Sequence, residues 1–252
     1  MAYNNAMRIT VLTMFPEQFT SFRSFPLTAR AIASGTLILN IIDIKDYADG
    51  SFRHIDDSPF GGGAGMILRC EPVFRCLKEC RTPHSRVAVF SPAGIPYTQK
   101  KAREWSQCED LILICGHYEG MDERIMETAD ERISVGDYVL SGGELPAMTV
   151  MDSIIRLLDG TIRKESTAEE SFENGLLEYP QYTKPREYEG KHVPSVLLSG
   201  HREKIRVWRL KESLRRTMAL RPDLLKQRTL SREEETLIEE IRNETGMERN
   251  QH

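Results

Sequence analysis

Short apolar runs alternate with helix-period segments over about the first 160 residues, and this alternation restricts the fold more than any other feature of the chain. The sequence predicts strands at 8–15, 37–44, 86–92, 111–116 and 132–140. It predicts helices at 17–34, 72–80, 98–106, 121–129 and 144–159. Several strands are apolar on both faces, as buried parallel strands are. The fold class is therefore predicted to be α/β with a mostly parallel sheet.

Glycine-containing strings follow three of the predicted strands. They read SPAG (91–94), CGHYEG (115–120) and VLSGGELP (139–146). Ligands of parallel sheets bind at the carboxyl ends of strands, so these loops predict a shared cofactor pocket. Ordinary turn chemistry explains the same glycines, and the residues alone leave both interpretations open. The string PFGGGAGM (59–66) favours a flexible loop, and no dinucleotide or P-loop fingerprint is present.

The character of the chain changes after residue 160. We expect an α/β domain over 1–160, a polar and flexible interdomain linker over 161–180, and a smaller helical domain over 181–252. Residues 201–221 carry eight Lys/Arg against two Glu. A helical wheel separates an apolar face from a basic stripe formed by Arg202, Arg206, Arg209 and Arg216. The stripe is either a solvated face or a phosphate-binding surface, since phosphate is the usual partner of such clusters.

Composition excludes several classes of protein. A formal net charge of −4 gives no global affinity for polyanions, so any nucleic-acid surface must be local. The five cysteines lack zinc-site spacing and are interpreted as reduced thiols. No signal peptide or membrane-spanning run is present, which favours a soluble cytoplasmic protein with no membrane partner.

Several charged residues allow both a chemical and a structural interpretation. Glu119 could bind a cation, whereas Glu123 is better explained as a helix cap. Asp152 and Arg156 are four residues apart, which also suits a plain helix ion pair. The carboxylates of Glu169 and Glu170 resemble solvated loop charge. No nucleophile elbow is present, so covalent catalysis is unsupported.

Long strings resemble a known family. SVGDYVLSGGELPAM, CGHYEGMDER, PFGGGAGM, DSIIR, GLLEYPQYTKP, VPSVLLSGH and RVWRLKESLRRT occur in order between about residues 8 and 225. Together they closely resemble the bacterial tRNA (guanine-N1)-methyltransferases, which methylate guanosine 37 beside the anticodon. The resemblance implies an S-adenosylmethionine-dependent, trefoil-knotted α/β enzyme that works as a homodimer, although topology rules treat true knots as rare.

The resemblance also implies which residues hold the methyl donor. In the family the knot loops bind it through backbone groups, and glycine suits positions where backbone approaches a ligand. By position, the expected cofactor-binding residues of this chain are Ser91, Pro92, Gly116, Tyr118, Glu119, Val135, Gly136, Asp137, Tyr138, Val139, Leu140, Gly142 and Pro146.

Guanine N1 carries a proton at neutral pH, so the reaction needs a base near N1 and a cation near O6. By resemblance the cation is Arg156, and Mg²⁺ is expected with Glu119 implicated. The family's base is an aspartate, whereas this chain has Glu170 there, with Glu169 as the second candidate. Arg202, Arg206, Arg209 and Arg216 are expected to hold the anticodon stem of tRNA by its phosphates. Two alternatives stay open: another RNA base as the substrate, and a non-catalytic RNA-binding relative.

Overall fold

The computed structural model describes residues 6–50, 53–162 and 170–249, which divide into two compact units with their boundary between Arg163 and Lys164. A parallel sheet forms the centre of the first unit. In chain order its strands are β1 (Met7–Thr13), β2 (Leu37–Asp43), β5 (Ser85–Pro96), β6 (Asp110–Ile114) and β7 (Glu131–Ser134). Their order in the sheet is β2-β1-β6-β5-β7, and every pairing is parallel. The α/β prediction is confirmed.

The sequence DLILI of the central strand β6 explains why both faces of the sheet are covered. All five residues are buried. Because side chains alternate across a strand, Leu111 and Leu113 join one apolar cluster whereas Ile112 and Ile114 join the other. The helices of this unit are α1 (Thr20–Arg23), α2 (Pro26–Ala33), α3 (Cys70–Cys80), α4 (Gln99–Trp105), α5 (Glu123–Thr128) and α6 (Glu144–Ile155), with 3-10 turns at Pro16–Phe19 and Ile44–Tyr47.

Several of the predicted elements are wrong in extent. The strand expected over 86–92 continues through the SPAG string to Pro96, with a register shift in its pairing to β7 between Phe90 and Ile95. The helix expected over 17–34 is interrupted before Pro26, because proline restricts the preceding residue to extended backbone and Phe25 adopts φ −57°, ψ 137°. The strand expected over 132–140 ends at Ser134. Residues 135–143 instead form a loop, in which Gly136 has φ +152° and Val139 is 87% exposed. The YVL run (138–140) therefore belongs to this loop and not to a strand.

Two antiparallel pairs of very short strands complete the sheets of the described residues. One joins β3 (Asp56–Asp57) to β4 (Ile67–Leu68), so the string PFGGGAGM connects two strands. The other joins β8 (Glu187–Tyr188) to β9 (Lys191–His192) in the second unit.

Helices dominate the second unit. They are α7 (Ser195–Leu198), α8 (Arg202–Leu220), α9 (Pro222–Lys226) and α10 (Arg232–Arg249). Its core contains Leu214 of α8 and Leu237, Ile238 and Ile241 of α10, together with Leu176, which precedes the helices. Within the described residues, none of the helices is both long and apolar enough to cross a lipid bilayer.

Candidate active site

A cavity of about 220 Å³ lies where β6 and β7 end, beside β5. Its walls come from the glycine-containing loops that follow β6 and β7, and from Phe90, Ser91 and Pro92 of β5, where the pairing of β5 with β7 is irregular. The strands are neighbours in one parallel sheet, so their carboxyl ends meet at the same edge. The glycine-containing strings therefore lie around one shared pocket, which was one of the two interpretations that the sequence alone allowed.

The structure places all of the expected cofactor-binding residues around this cavity except one. Asp137 is not among the residues that line it. The lining also includes residues that sequence reasoning did not single out: Phe90, His117, Gly120, Met121, Ile133, Ser134, Ser141 and Gly143. His117 lies between Gly116 and Tyr118 in the CGHYEG string, so its position in the loop is the signal that could have identified it.

Backbone contact joins the loop after β6 to the loop before α6. The Gly143 N–H donates to the Gly116 carbonyl at 2.8 Å. A Cβ at position 143 would lie 2.7 Å from Cys115 Cα, which no real side chain tolerates. The second glycine of SVGDYVLSGGELP is therefore required by the approach of two backbone segments that both line the pocket.

Tyr118 stands at the outer corner of the pocket in a left-handed conformation, φ +62°. Such a backbone is strained for a residue with a side chain, and strain of this kind is concentrated at functional sites. The adjacent Glu119 N–H donates to the Met66 carbonyl at 3.1 Å, so the end of the PFGGGAGM loop is fixed to the pocket. The helix cap expected at Glu123 is wrong, because Asp122 accepts the Arg124 N–H at 3.0 Å and Glu123 pairs with Arg132.

A buried carboxylate lies behind the pocket wall. Glu144, the first residue of α6, is 2% exposed. Its Oε1 accepts the Thr13 hydroxyl at 2.8 Å, and its Oε2 is 4.0 Å from His117 Nδ1. Thr13 is the last residue of β1 and is fully buried. The carboxylate is thus fixed between the sheet and a pocket loop.

The thiols of the chain are not activated nucleophiles. All five cysteines are free. Burial raises the pKa of Cys76 to about 12 and raises the pKa of Cys115 well above its ordinary value, with the nearby Glu144 charge adding to the effect on Cys115. A thiol with a raised pKa stays protonated at neutral pH and is a poor nucleophile.

The structure does not bring every expected catalytic residue to this pocket. Arg156 follows the last residue of α6, whereas Glu144 begins that helix beside the pocket. Twelve residues of α-helix span roughly 18 Å, so the two ends of α6 are well separated. Glu169 lies outside the described residues. Glu170 belongs to the second unit, where its carbonyl accepts the Glu173 N–H at 3.2 Å.

The segment after Glu170 is tied to α8 by hydrogen bonds. The Glu178 N–H donates to Ser171 Oγ at 2.9 Å. The Leu177 N–H donates to Thr217 Oγ1 at 2.9 Å, and Arg216 donates to the Glu178 carbonyl at 3.0 Å. Part of the stretch expected to be a flexible linker, from residue 170 onward, is therefore anchored on the basic helix.

Ion pairs divide the cations of α8 into two groups. On one side, Lys211 pairs with Glu240 and Glu244 of α10, and Arg215 pairs with Glu244. On the opposite side, Arg202 and Arg209 line a cavity of about 460 Å³ with Tyr179, and the Arg209 guanidinium lies 4.7 Å from the centre of that ring. Arg206 also lines this cavity, but it is paired with Glu203 and Glu233.

No group of three or more His, Cys, Asp or Glu side chains that could hold a metal ion occurs in the part of the chain that the structure describes. Glu119 therefore has no partner set of that kind among the described residues.

The fold and the pocket define a class of protein: an α/β protein whose ligand site is built from loops at the carboxyl edge of a parallel sheet. A family model described as tRNA (Guanine-1)-methyltransferase TrmD matches residues 7–227. The chain belongs to this family and is therefore a methyltransferase, which confirms the resemblance. Membership also implies the trefoil-knotted form of the α/β fold.

Curated relatives match along nearly the whole chain. The tRNA (guanine-N(1)-)-methyltransferase of Streptococcus pyogenes serotype M4 is 47% identical over 241 residues, covering 95% of this chain and 100% of the relative. The protein of the same name from Syntrophomonas wolfei is 48% identical over 236 residues, covering 93% of this chain and 97% of the relative.

Proposed function

We propose that this enzyme transfers a methyl group from S-adenosylmethionine to N1 of guanosine 37 in tRNA, next to the anticodon. The observation that carries the proposal is the pocket formed by the irregular part of β5 and the loops after β6 and β7, in a chain of this family. A cytoplasmic location is part of the proposal, because tRNA is the substrate.

The pocket suits a nucleoside-type donor. Its walls combine apolar side chains such as Val135 and Leu140 with glycine backbone from the loops after β6 and β7, which offers amide and carbonyl groups to an adenine ring. Ser91, Pro92, Gly116 and the 135–142 loop are the residues proposed to hold it. When bound, S-adenosylmethionine supplies an electrophilic methyl group on a positively charged sulfur.

The proposed chemistry on guanine requires two groups of this chain. Glu170 takes the N1 proton as the general base, and the Arg156 guanidinium stabilises the negative charge that develops on O6. We propose that Glu119 would hold Mg²⁺ together with substrate oxygens and water. Proteins commonly bind Mg²⁺ in this way, with only one or two carboxylates.

A homodimer is proposed on two grounds. Large apolar side chains of the loop after β7 and the start of α6 are exposed, with Val139 87% and Leu145 56% exposed, and exposed apolar surface is what a subunit interface covers. The separation between the pocket and Arg156 of one chain is the second ground, since a partner subunit can supply its own copy of Arg156 to each pocket.

The side of α8 that faces Tyr179 is proposed to bind tRNA phosphates. Arg202, Arg209 and Arg216 are spaced by seven residues, so they form one row along the helix. Lys211 and Arg215 lie on the opposite side, where α10 carboxylates neutralise them. Arg206 was expected to bind tRNA. Its two glutamate partners would have to be displaced first, so we expect Arg206 to contribute less to tRNA binding than the other three arginines.

Replacing Arg202 or Arg209 by glutamine is expected to raise KM for tRNA about tenfold, because a charge-assisted hydrogen bond to phosphate is lost. The slope of the logarithm of the tRNA binding constant against the logarithm of salt concentration should decrease by about the value of one phosphate contact per substitution. Lys211→Gln is the matched control and should leave KM for tRNA unchanged. An equal loss in the control would show that α8 acts through net charge and not through this row.

The proposed reaction is tested with a labelled methyl group on S-adenosylmethionine and a tRNA transcript carrying guanosines at positions 36 and 37. Transfer to this transcript, and none to a matched transcript with adenosine at 37, is the expected result. Transfer to both would move the target to another RNA base. Donor binding without transfer to either would favour a non-catalytic RNA-binding protein.

A further inference from the structure

The structure assigns a role to Glu144 that rests on the donor site proposed above. We propose that Glu144 is a positioning residue, which fixes the orientation and the tautomer of His117 so that His117 Nε2 accepts a hydrogen bond from an amino or hydroxyl group of the bound donor. Neither residue was expected in the site from the sequence.

The first argument is the rigid attachment of the carboxylate. Glu144 is 2% exposed, and its Oε1 accepts the Thr13 hydroxyl at 2.8 Å. The same Thr13 oxygen accepts the Phe15 N–H at 3.0 Å, so its hydrogen is directed toward Glu144. A buried carboxylate costs free energy unless it is paired, which makes a second partner for Oε2 favourable.

The second argument is the imidazole that faces that oxygen. His117 Nδ1 is 4.0 Å from Glu144 Oε2, is fully buried, and has no hydrogen-bond partner among the described residues. The His117 side chain is 24% exposed. Nε2, unlike Nδ1, is not one of the buried side-chain atoms that lack a partner, and His117 is one of the residues that line the pocket.

The third argument is that Gly142 leaves space between the Glu144 carboxylate and the His117 imidazole. A Cβ at Gly142 would lie 2.4 Å from Glu144 Oε2 and 2.4 Å from His117 Nδ1. Only glycine leaves the carboxylate and the imidazole facing each other. The Phe15 ring packs edge-on against the imidazole at 4.9 Å between centroids, which restricts the remaining freedom of the ring.

These contacts determine where the imidazole proton lies. A neutral histidine carries one N–H, and the group that faces one nitrogen biases where that hydrogen lies. The Glu144 carboxylate can only accept, so at 4.0 Å its negative charge favours Nδ1–H, although the two groups are not within hydrogen-bond distance. Nε2 then presents a lone pair to the pocket, and the groups that it can bind are hydrogen-bond donors, such as the amino and hydroxyl groups of a nucleoside.

The decisive substitution is Glu144→Gln, because its amide oxygen still accepts from Thr13 while its NH₂ group faces His117. That NH₂ group is a donor, so it favours the opposite tautomer. Nitrogen-15 NMR of histidine-labelled protein, with His117 assigned by its loss in His117→Phe, should show Nδ1–H in the wild type and Nε2–H in Glu144→Gln.

Affinity for S-adenosylmethionine, measured by calorimetry, should fall about tenfold in Glu144→Gln, as expected when a pocket acceptor becomes a donor. In the His117→Phe background the same substitution should have little further effect. Glu123→Gln is the matched control, since Glu123 also begins a helix but is 67% exposed and paired with Arg132.

Nε2–H in the wild type, or equal losses of affinity in the two backgrounds, would overturn the proposal. If Glu144→Gln does not fold, Thr13→Val loosens the same carboxylate without changing its acceptor character, so it should keep Nδ1–H, lower the affinity for S-adenosylmethionine, and have little further effect in the His117→Phe background. A wild type that binds no S-adenosylmethionine would contradict the proposed function, and the NMR measurement would still decide the tautomer.

Discussion

Glu170→Gln is expected to lower kcat for methyl transfer by about 10²- to 10⁴-fold, the usual contribution of a general base. The amide keeps the size of the side chain but cannot accept the N1 proton of guanine. Affinity for S-adenosylmethionine should not change, because the proposed donor pocket is built by residues 90–146. Single-turnover transfer to the guanosine 37 transcript measures the effect without interference from product release.

Glu173→Gln provides the matched control, since Glu173 lies in the same turn and its N–H binds the Glu170 carbonyl. It should transfer methyl groups at the wild-type rate. The same experiment on Glu169→Gln decides between the two neighbouring carboxylates. Full activity in Glu170→Gln together with a large loss in Glu169→Gln would move the base by one position.

Gly143→Ala is expected to abolish donor binding and to lower kcat/KM at least about 10²-fold. The backbone of Gly143 has φ −82° and ψ −3°, which alanine adopts freely, so what opposes the substitution is the close contact with Cys115 and Gly116. That contact involves backbone of a buried strand end, which cannot yield as a side chain can. A shift of about 1 Å between the two loops is enough for a loss of this size.

Gly246→Ala is the corresponding control, because Gly246 also has a helical backbone but nothing lies within 4 Å of its Cβ position. It should bind S-adenosylmethionine as the wild type does. Calorimetric titration of both variants, with melting curves, separates a local effect from general unfolding. Overpacking of this kind costs about 1–3 kcal/mol, so Gly143→Ala should remain folded. Wild-type affinity in Gly143→Ala would show that the two loops are not fixed by this contact.

The sequence predicted the sheet and the pocket edge because these depend on local patterns. The run DLILI has only one environment that suits it, a strand with both faces buried. The strings in β5 and after β6 and β7 marked the pocket because the carboxyl ends of parallel strands converge whatever the order of the strands.

The incorrect predictions concern features that depend on contacts between distant parts of the chain, which a local sequence pattern does not contain. YVL has high strand propensity, but it pairs with no strand among the described residues, and Tyr138 and Val139 are exposed. The connection between Glu144 and Thr13 joins positions 131 residues apart, so no local pattern could indicate it. The pairing of Lys211 with α10 was equally invisible, since a helical wheel shows the charges of one helix and not those of its neighbour.

The hydrogen bonds that tie residues 171–178 to α8 have a consequence for fidelity. On the proposed assignment, the catalytic base is carried by the same body that holds the RNA backbone. On that assignment, removal of the N1 proton depends on the body that holds the RNA, so a guanine presented by an RNA that does not seat on α8 would be methylated slowly. The enzyme would then discriminate by the shape of the whole substrate at the step of proton removal, with no need for a separate checking site.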